Sequence, residues 1–314
     1  MYSFLYGLYY HLRRVQKKHP DEKSVYHRFS SFLIGYIEAY YNLYVVKQFR
    51  NKPSHESGVT EVKRDQKIII SLTSFPARIN VVWIAIETLL RQSMKPDEII
   101  LWLSEEQFPN RDEDLPKELI QQKERGLTIR YCDDLRSHKK YFYTMQENPE
   151  DMIILADDDV FYSKDLVEKL YRLHQENPED IVCMGVALIY PELSTPPDQW
   201  TRPSSRQIIQ HSEIAQPFTG TGSLFPPHCL DERAFDKELL QQLCPFADDL
   251  WLKYMSMKKG TLVTGITPDR NMPVFIYGTA QSGLWHINGE QKQNDVQWEN
   301  ILQYFGDLND SIQK

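Results

Sequence analysis

Short apolar runs alternate with segments of helical periodicity from residue 67 onward. The runs predict buried strands at 68–73, 98–103, 127–131, 152–156 and 181–184. Between them, apolar positions recur every three or four residues and predict helices at 80–92, 115–125, 139–147 and 164–176. Gly126 follows the second of these helices, where glycine commonly ends a helix. Strands that alternate with helices over short connections predict an α/β fold with a mostly parallel central sheet and helices on both faces.

The second half of the chain is less regular. Residues 190–217 are rich in Pro, Ser, Thr and Gln, and their weak periodicity predicts an irregular stretch that shapes a pocket. Residues 244–252 open a further helix, and residues 295–305 predict a final one.

The first 52 residues hold two aromatic-rich segments with helical spacing, each followed by basic residues. Two interpretations stay open: helices on an anionic membrane surface, or a helical hairpin packed on the main domain or on a second subunit. Polar residues 53–66 predict a linker. The predicted organisation is an appendage at 1–52, a linker at 53–66 and a main domain at 67–314, which ends in a C-terminal helix at 291–314.

Composition narrows the function classes. The chain has 314 residues, 41% of them hydrophobic and 25% charged, which is typical of a globular protein with a sizeable core. The net charge of −8 argues against nucleic acid as a partner. Four widely spaced cysteines form no zinc motif, so we expect a reducing cytoplasm. No apolar run is long enough to cross a bilayer, and no signal peptide is visible.

Three adjacent acids, Asp157, Asp158 and Asp159, follow the apolar run at 152–156. Open α/β sheets bind ligands at the carboxyl ends of their strands. Carboxylate oxygens there suit Mg²⁺ or Mn²⁺. The alternative is a solvated acidic turn that caps the next helix.

Several segments, in this order along the chain, resemble bacterial glycosyltransferase-2-like proteins of surface-polysaccharide assembly, which make capsule, O-antigen or lipooligosaccharide. The segments are SLTSFPARI, VWIAIETLLRQ, EIILWLS, DLRSHKKYF, LADDDV, TGTGS and CPFADDLWL. The resemblance covers about residues 67–288 and implies a GT-A, Rossmann-like fold, with a nucleotide-binding half at 67–160 and an acceptor and catalytic half at 161–290. It also implies a nucleotide-sugar donor, with a UDP-sugar favoured, a divalent cation (Mn²⁺ or Mg²⁺), and a hydroxyl acceptor on a glycan or a lipid-linked glycan.

The resemblance also suggests roles for the acids. Asp157 and Asp159 are expected to flank the metal, with Asp158 towards the donor ribose or sugar. His286 is a candidate third ligand or, alternatively, an ordinary packing residue.

The acidic pair at 248–249 stands where the family carries a general base. We expect Asp249 to be the base and Asp248 to position it, in an inverting displacement. Neighbouring carboxylates raise one another's pKa, which suits proton abstraction. A helix N-cap is the alternative role for either acid.

Further donor contacts are expected near the strand ends. Gly220, Thr221 and Gly222 form either a close backbone approach to the sugar or a glycine turn. Lys139 and Lys140, of which Lys139 is favoured, are expected to offset the charge of the diphosphate, with a solvated helix start as the alternative. The remaining candidates, for the nucleotide base, the ribose or the phosphates, are Thr73, Ser74, Arg78, Asp133 and Asp134.

Two other functions are weighed against glycosyl transfer. One is a nucleotide-sugar-binding or assembly subunit without turnover. The other is a sugar nucleotidyltransferase, although the glycine-rich, basic signature of that class is missing from SLTSFPARI. Glycosyl transfer requires the two acidic clusters to share one cavity. We expect the protein to be cytoplasmic, either free or peripheral at the inner face of the plasma membrane. The sequence leaves homo-oligomer formation open.

Overall fold

The computed structural model describes residues 5, 8–9, 11–13, 15–16, 21, 23–201, 208–266, 274–279, 292–306 and 308. Its strands are β1 Ile68–Thr73, β2 Glu98–Ser104, β3 Leu127–Cys132, β4 Met152–Leu155, β5 Val160–Phe161, β6 Ile181–Cys183, β7 Val186–Leu188, β8 Ile208–Ser212, β9 Ala215–Pro217, β10 Ser223–Phe225, β11 Val263–Ile266 and β12 Val274–Phe275. Its α-helices are α1 Val25–Ala39, α2 Val46–Asn51, α3 Val82–Leu90, α4 Lys117–Gln122, α5 Lys139–Glu147, α6 Leu166–Glu176, α7 Lys237–Leu243, α8 Asp248–Lys259 and α9 Gln293–Phe305.

Within the described residues, the central sheet has the strand order β3-β2-β1-β4-β10-β6-β11-β8. The β1–β2, β2–β3, β1–β4 and β6–β11 pairs are parallel, whereas β10 runs antiparallel to both of its neighbours. The carboxyl ends of β1 and β4 therefore meet at one edge of the sheet. The α/β fold class with a mostly parallel sheet is confirmed.

Successive side chains of the strands point to opposite faces of the sheet and pack into two hydrophobic cores. Ile68, Ile70 and Leu72 of β1 pack on the core that includes α3 and α6. Ile69 and Ile153 point to the opposite core, which includes α5 and α8. The apolar runs are continuous because strands covered by helices on both faces bury every side chain.

The N-terminal helices join the first of these cores. A π-helical segment, Tyr40–Val45, connects α1 to α2, so the helical run continues from Val25 to Asn51. Ile34, Ile37 and Tyr41 are buried in the same cluster as β1, and the ring of Tyr41 lies 5.3 Å from that of Phe161 in β5. One face of this run therefore packs on the main domain, as one of the two interpretations expects.

Residues 53–66 form no helix or strand, yet they contact the main domain closely. The Gly58 amide donates to the Arg125 carbonyl at 2.7 Å, and Arg64 pairs with Asp97 at 2.5 Å. A Cβ at Gly58 would lie 2.3 Å from a methyl carbon of Leu90, so only glycine fits there. No helix in the described ranges combines the length and the apolar character that a bilayer span requires.

Two differences from the predicted elements concern short strands. Strands β8 and β9 both lie within the stretch 190–217 that was expected to be irregular; β8 pairs with β11 at the sheet edge, and β9 pairs with β7. Strand β10 has three residues and inserts between β4 and β6. Its position depends on partners far away in the chain, and three residues show no periodicity.

Candidate active site

The acidic triplet begins where the buried strand β4 ends. All four residues of β4 and the following Ala156 are buried, and the chain then reaches the sheet edge. Asp158 turns inward and is only 4% exposed, whereas Asp157 and Asp159 are partly exposed. This alternation presents the first and third carboxylates, and not the second, to the outside of the sheet edge.

The inward carboxylate of Asp158 is held by the loop after β1. The Ser74 hydroxyl donates to its Oδ2 at 2.5 Å, and the Arg78 guanidinium donates to its Oδ1 at 2.6 Å. Arg78 also contacts Asp159 Oδ2 at 3.0 Å and donates to the Thr279 carbonyl at 3.2 Å. Ser74 and Arg78 thus fix the triplet to the first strand.

Tyr162 and Gly220 set the position of Asp157. The Tyr162 hydroxyl accepts a hydrogen bond from the Asp157 amide at 2.6 Å and donates to the Gly220 carbonyl at 3.0 Å. A Cβ at Gly220 would lie 2.2 Å from Asp157 Oδ2. Glycine is therefore required here so that the backbone can approach the carboxylate.

Lys140 joins this triplet to the second acidic cluster. Its ammonium donates to Asp157 Oδ1 at 2.7 Å and to the Thr219 hydroxyl at 2.8 Å, and it lies 2.9 Å from Asp248 Oδ2. The Ser71 hydroxyl of β1 donates to the Lys140 carbonyl at 2.5 Å and anchors the start of α5. Burial acts to lower the pKa of Lys140, yet the surrounding carboxylates, Asp157 first, raise it well above its ordinary value.

The Asp249 carboxylate is held by Thr219. The Thr219 hydroxyl donates to Asp249 Oδ1 at 2.6 Å and its amide donates to the same oxygen at 3.3 Å. Burial raises the pKa of Asp249 to about 7, and the neighbouring Asp248 charge adds to the rise. Burial also acts to raise the pKa of Asp248, but the Lys140 ammonium outweighs it and holds that pKa below its ordinary value.

Neither Asp248 nor Asp249 is the N-cap residue of its helix, so the alternative role given to this pair is wrong. The N-cap residue of α8 is Ala247, and no side chain caps the helix; Asp248 and Asp249 occupy its first turn. The positive end of the helix favours carboxylates in that turn, while their oxygens stay available for other contacts.

Negative charge exceeds positive charge where the clusters meet. Burial raises the pKa of Asp159 to about 7, and the two preceding carboxylates add to that rise against the opposing Arg78 guanidinium. In the part of the chain that the structure describes, four carboxylates contact two basic side chains, Arg78 and Lys140, and the carboxylate of Asp249 is held by Thr219. Such a site favours a further cation.

The other predicted residues have separate partners. Lys139 donates to Asp134 at 2.6 Å, Asp134 also accepts from Gln107, and Asp133 pairs with Lys237. The preference for Lys139 over Lys140 is therefore reversed for contact with the acidic clusters. Consecutive helical residues point about 100° apart, so only one of them reaches Asp157.

The remaining candidates have mainly local contacts. The Thr73 hydroxyl donates to the Trp102 carbonyl at 2.8 Å, and that of Thr221 donates to the Phe218 carbonyl at 2.8 Å. Gly222 has a φ of 95°, in the region that favours glycine. His286 lies outside the described residues. No group of three His, Cys, Asp or Glu side chains is placed to hold a metal ion within the described ranges.

Two side chains whose hydroxyl groups contact the acidic clusters, Thr219 and Tyr162, were not among the residues predicted from the sequence. Thr219 links Lys140 to Asp249, and Tyr162 links Asp157 to Gly220. Both stand beside motifs that the sequence singled out, but their contacts cross long stretches of chain. The two acidic clusters are joined by the Lys140 ammonium, which contacts Asp157 of the triplet and Asp248 of the pair.

Residues 77–231, slightly less than half of the chain, match the sequence model of glycosyl transferase family 2. The matched stretch contains the acidic triplet and ends before Asp248. No curated protein matches the chain. Among solved structures, the chain is similar to the mannosyltransferase PcManGT from Pyrobaculum calidifontis in complex with GDP-Man and Mn²⁺. The TM-score is 0.45 with 13% sequence identity, over 94% of this chain and 74% of that one.

Proposed function

We propose that the protein is a metal-dependent glycosyltransferase that moves a sugar from a nucleoside-diphosphate donor, a UDP-sugar first, to a hydroxyl of a glycan or lipid-linked glycan. The observation that carries the proposal is the junction at Lys140, where the acidic triplet after β4 meets the acidic pair of α8. The family match over residues 77–231 supports glycosyl transfer as the reaction class. The four cysteines are free and buried, which fits a reducing cytoplasm.

The residues present fit a divalent cation. Asp157 and Asp159 have partly exposed side chains on the same side of the chain. Burial first, and then the two neighbouring carboxylates, raise the pKa of Asp159, so a further positive charge beside it would be favourable. Mg²⁺ and similar ions commonly bind one or two carboxylates together with substrate phosphates. When bound there, such an ion would stabilise the charge of the leaving diphosphate.

Asp249 suits the role of general base. The residue is partly exposed, and a pKa of about 7 lets its carboxylate accept a proton near neutral pH. As the acceptor oxygen forms its bond to the anomeric carbon, its proton passes to Asp249. The bond from that carbon to the diphosphate oxygen breaks, and the nucleoside diphosphate leaves with the electron pair. A single displacement of this kind inverts the anomeric configuration.

Thr219, Asp248 and Lys140 position the base. The Thr219 hydroxyl orients the Asp249 carboxylate, and the ion pair between Lys140 and Asp248 fixes the first turn of α8 against α5. Asp158 is bound by Ser74 and Arg78, so we assign it to holding the triplet in place in addition to its expected position near the donor.

A donor panel tests the proposal. The full chain is incubated with UDP- and GDP-sugars and Mn²⁺, and release of nucleoside diphosphate is measured with and without chelator. We expect release from one donor class, lost in chelator, restored by Mn²⁺ or Mg²⁺ and lost in Asp157→Asn/Asp159→Asn. Asp112→Asn is the matched control, because Asp112 pairs with Lys123 on another helix, and it should keep full activity.

Three results would contradict the proposal. Activity retained in chelator would refute the metal requirement. Donor binding without release under every condition would identify a binding subunit. Formation of a nucleotide sugar from a nucleoside triphosphate and a sugar phosphate would identify a nucleotidyltransferase.

A further inference from the structure

The helical run from Val25 to Asn51 is apolar on its outer face as well as on its inner face. A surface helix normally carries polar residues on the side away from the core. Here the outer positions recur at helical spacing and their side chains are 48% to 79% exposed. We call this set the exposed stripe; it consists of Val25, Phe29, Phe32, Tyr36, Leu43 and Tyr44.

Basic residues flank the exposed stripe. Arg28 stands near its start and Lys47 follows its end, and both are exposed. The acidic residue of the run, Glu38, accepts hydrogen bonds from Tyr9 and Arg13. The chain as a whole has a net charge of −8, so this positive surface contrasts with the rest of the molecule. An anionic surface would attract this face and repel the others.

Hydrogen bonds connect the helical run that carries the exposed stripe to the segment beside the acidic triplet. Asn42 donates to the Phe275 carbonyl at 3.0 Å and accepts from the Tyr277 amide at 2.7 Å. The side chains of Phe275 and Tyr277 are also about half exposed, at 46% and 48%. The Ile276 amide between them donates to the Asp159 carbonyl at 2.8 Å. Exposed aromatic side chains therefore lie both on the helical run and on the segment that is hydrogen-bonded to the acidic triplet.

We propose that the exposed stripe lies in the headgroup region of an anionic lipid bilayer and holds the acidic site beside it. Aromatic side chains with basic neighbours are typical of helices that lie in a membrane interface. The packing of Tyr41 on Phe161 fixes the helical run to the strand after the acidic triplet, so the exposed stripe and the acidic site keep a fixed relative position. A site held beside the bilayer favours a lipid-linked acceptor. This statement about the acceptor rests on the proposed glycosyl transfer, whereas the membrane binding does not.

A second copy of the chain fits this surface less well. Two copies that paired antiparallel along the exposed stripe would bring Arg28 of each copy towards Lys47 of the other. Parallel pairing would place identical charges side by side. Like charges on paired helices are destabilising, and partner helices normally present opposite charges beside their apolar seam.

Vesicle sedimentation tests the proposal on the full chain. The vesicles contain either phosphatidylcholine alone or equal parts of phosphatidylcholine and phosphatidylglycerol. The test variant is Phe32→Glu/Tyr36→Glu, which places charges on exposed positions. The matched control is Val62→Glu/Tyr304→Glu, which alters comparably exposed apolar residues outside the exposed stripe. Circular dichroism and thermal unfolding check that both variants are folded.

We expect the wild type and the control to sediment with the anionic vesicles, and more weakly with the neutral ones. Binding of the test variant should fall by about tenfold or more, because two buried aromatic contacts with the bilayer are lost. Three results would overturn the proposal: wild type that stays in the supernatant with both vesicles, a test variant that binds like wild type, or a solution dimer that Phe32→Glu/Tyr36→Glu converts to monomer.

Discussion

Lys140 is a buried lysine whose ammonium contacts acids from two distant segments. The low dielectric around it makes each contact strong and makes an unpaired charge costly. Removing one of these charged groups would leave its partners buried and unpaired, and the free-energy cost of that state stabilises the contacts around Lys140. At the scale of the residue, the site is defined by this one cation and the unequal pKa values of the acids around it.

Asp249 gives the pH dependence. Its raised pKa, about 7, means that the carboxylate needed as base is lost by protonation as the pH falls below 7. We expect the transfer rate to fall about tenfold per pH unit below that value and to level off above it. The rate is measured with saturating donor and acceptor between pH 5 and pH 9, over which the chain must stay folded.

Asp248→Asn supplies the control for that profile. It removes a negative neighbour of Asp249, so the acidic limb should move to lower pH. An unchanged limb in this variant would assign the titration to another group.

Gly220 gives a steric prediction. The Cβ of Gly220→Ala would lie 2.2 Å from Asp157 Oδ2, so the carboxylate or the loop must move. We expect donor turnover to fall by about tenfold or more, since displacements of an ångström at such sites are costly. Thermal unfolding should change much less than turnover. Full activity in Gly220→Ala would show that the placement of Asp157 has no role in the reaction.

Helix α8 carries both the acidic pair and, one turn later, Lys253, which is fully buried and donates to the Glu213 carbonyl at 2.6 Å. Burial lowers the pKa of Lys253 to about 7, against an ordinary value of 10.5. The unfolded chain therefore binds more protons than the folded chain between these two values. The contribution of Lys253 to the free energy of unfolding thus rises with pH across that range.

Lys253→Met removes this contribution. The difference in free energy of unfolding between wild type and variant should grow from pH 7 to pH 10, by up to about 1.4 kcal/mol per pH unit. Urea titrations at several pH values measure it, and taking the difference cancels the titration of other groups. A difference that stays constant with pH would mean that Lys253 is charged in the folded protein.

Elements were predictable where local pattern alone decides them. Helix α5 was predicted with the bounds that the structure has, Lys139–Glu147, because its apolar residues recur at helical spacing, and β1 was predicted correctly because it is a short apolar run. Gly126 does end a helical segment, with a φ of 107°. Strand β10 escaped prediction because its three residues are positioned by β4 and β6 and not by their own pattern.

In the whole molecule, the N-terminal helices are part of the fold. Tyr41 is 4% exposed and packs on Phe161, whereas Tyr44, three residues later, is 48% exposed. We expect Tyr41→Ala to lower the free energy of unfolding by about 3–5 kcal/mol, as large-to-small changes in cores do. Tyr44→Ala should cost less than about 1 kcal/mol. Denaturant titration of both variants makes the comparison, and equal losses would contradict this packing.

The site was predictable in its residue types and not in its connections. Acids after β4 and at the start of α8 were expected to meet, since each follows a recognisable motif. Which lysine joins them depends on the rotation of α5 against the sheet, and the role of Thr219 depends on a contact thirty residues along the chain. Such contacts are set by tertiary packing, which the pattern of a single sequence does not contain.

Substitution of Asp249 tests the central claim most directly. Donor affinity, measured by calorimetry, and transfer to acceptor are compared in wild type and Asp249→Asn. The account predicts unchanged donor affinity within about twofold and a transfer rate lower by about 10²–10⁴, the usual contribution of a general base. Asp249→Asn with full transfer activity would contradict the claim that the acidic pair of α8 and the triplet after β4 form one catalytic site.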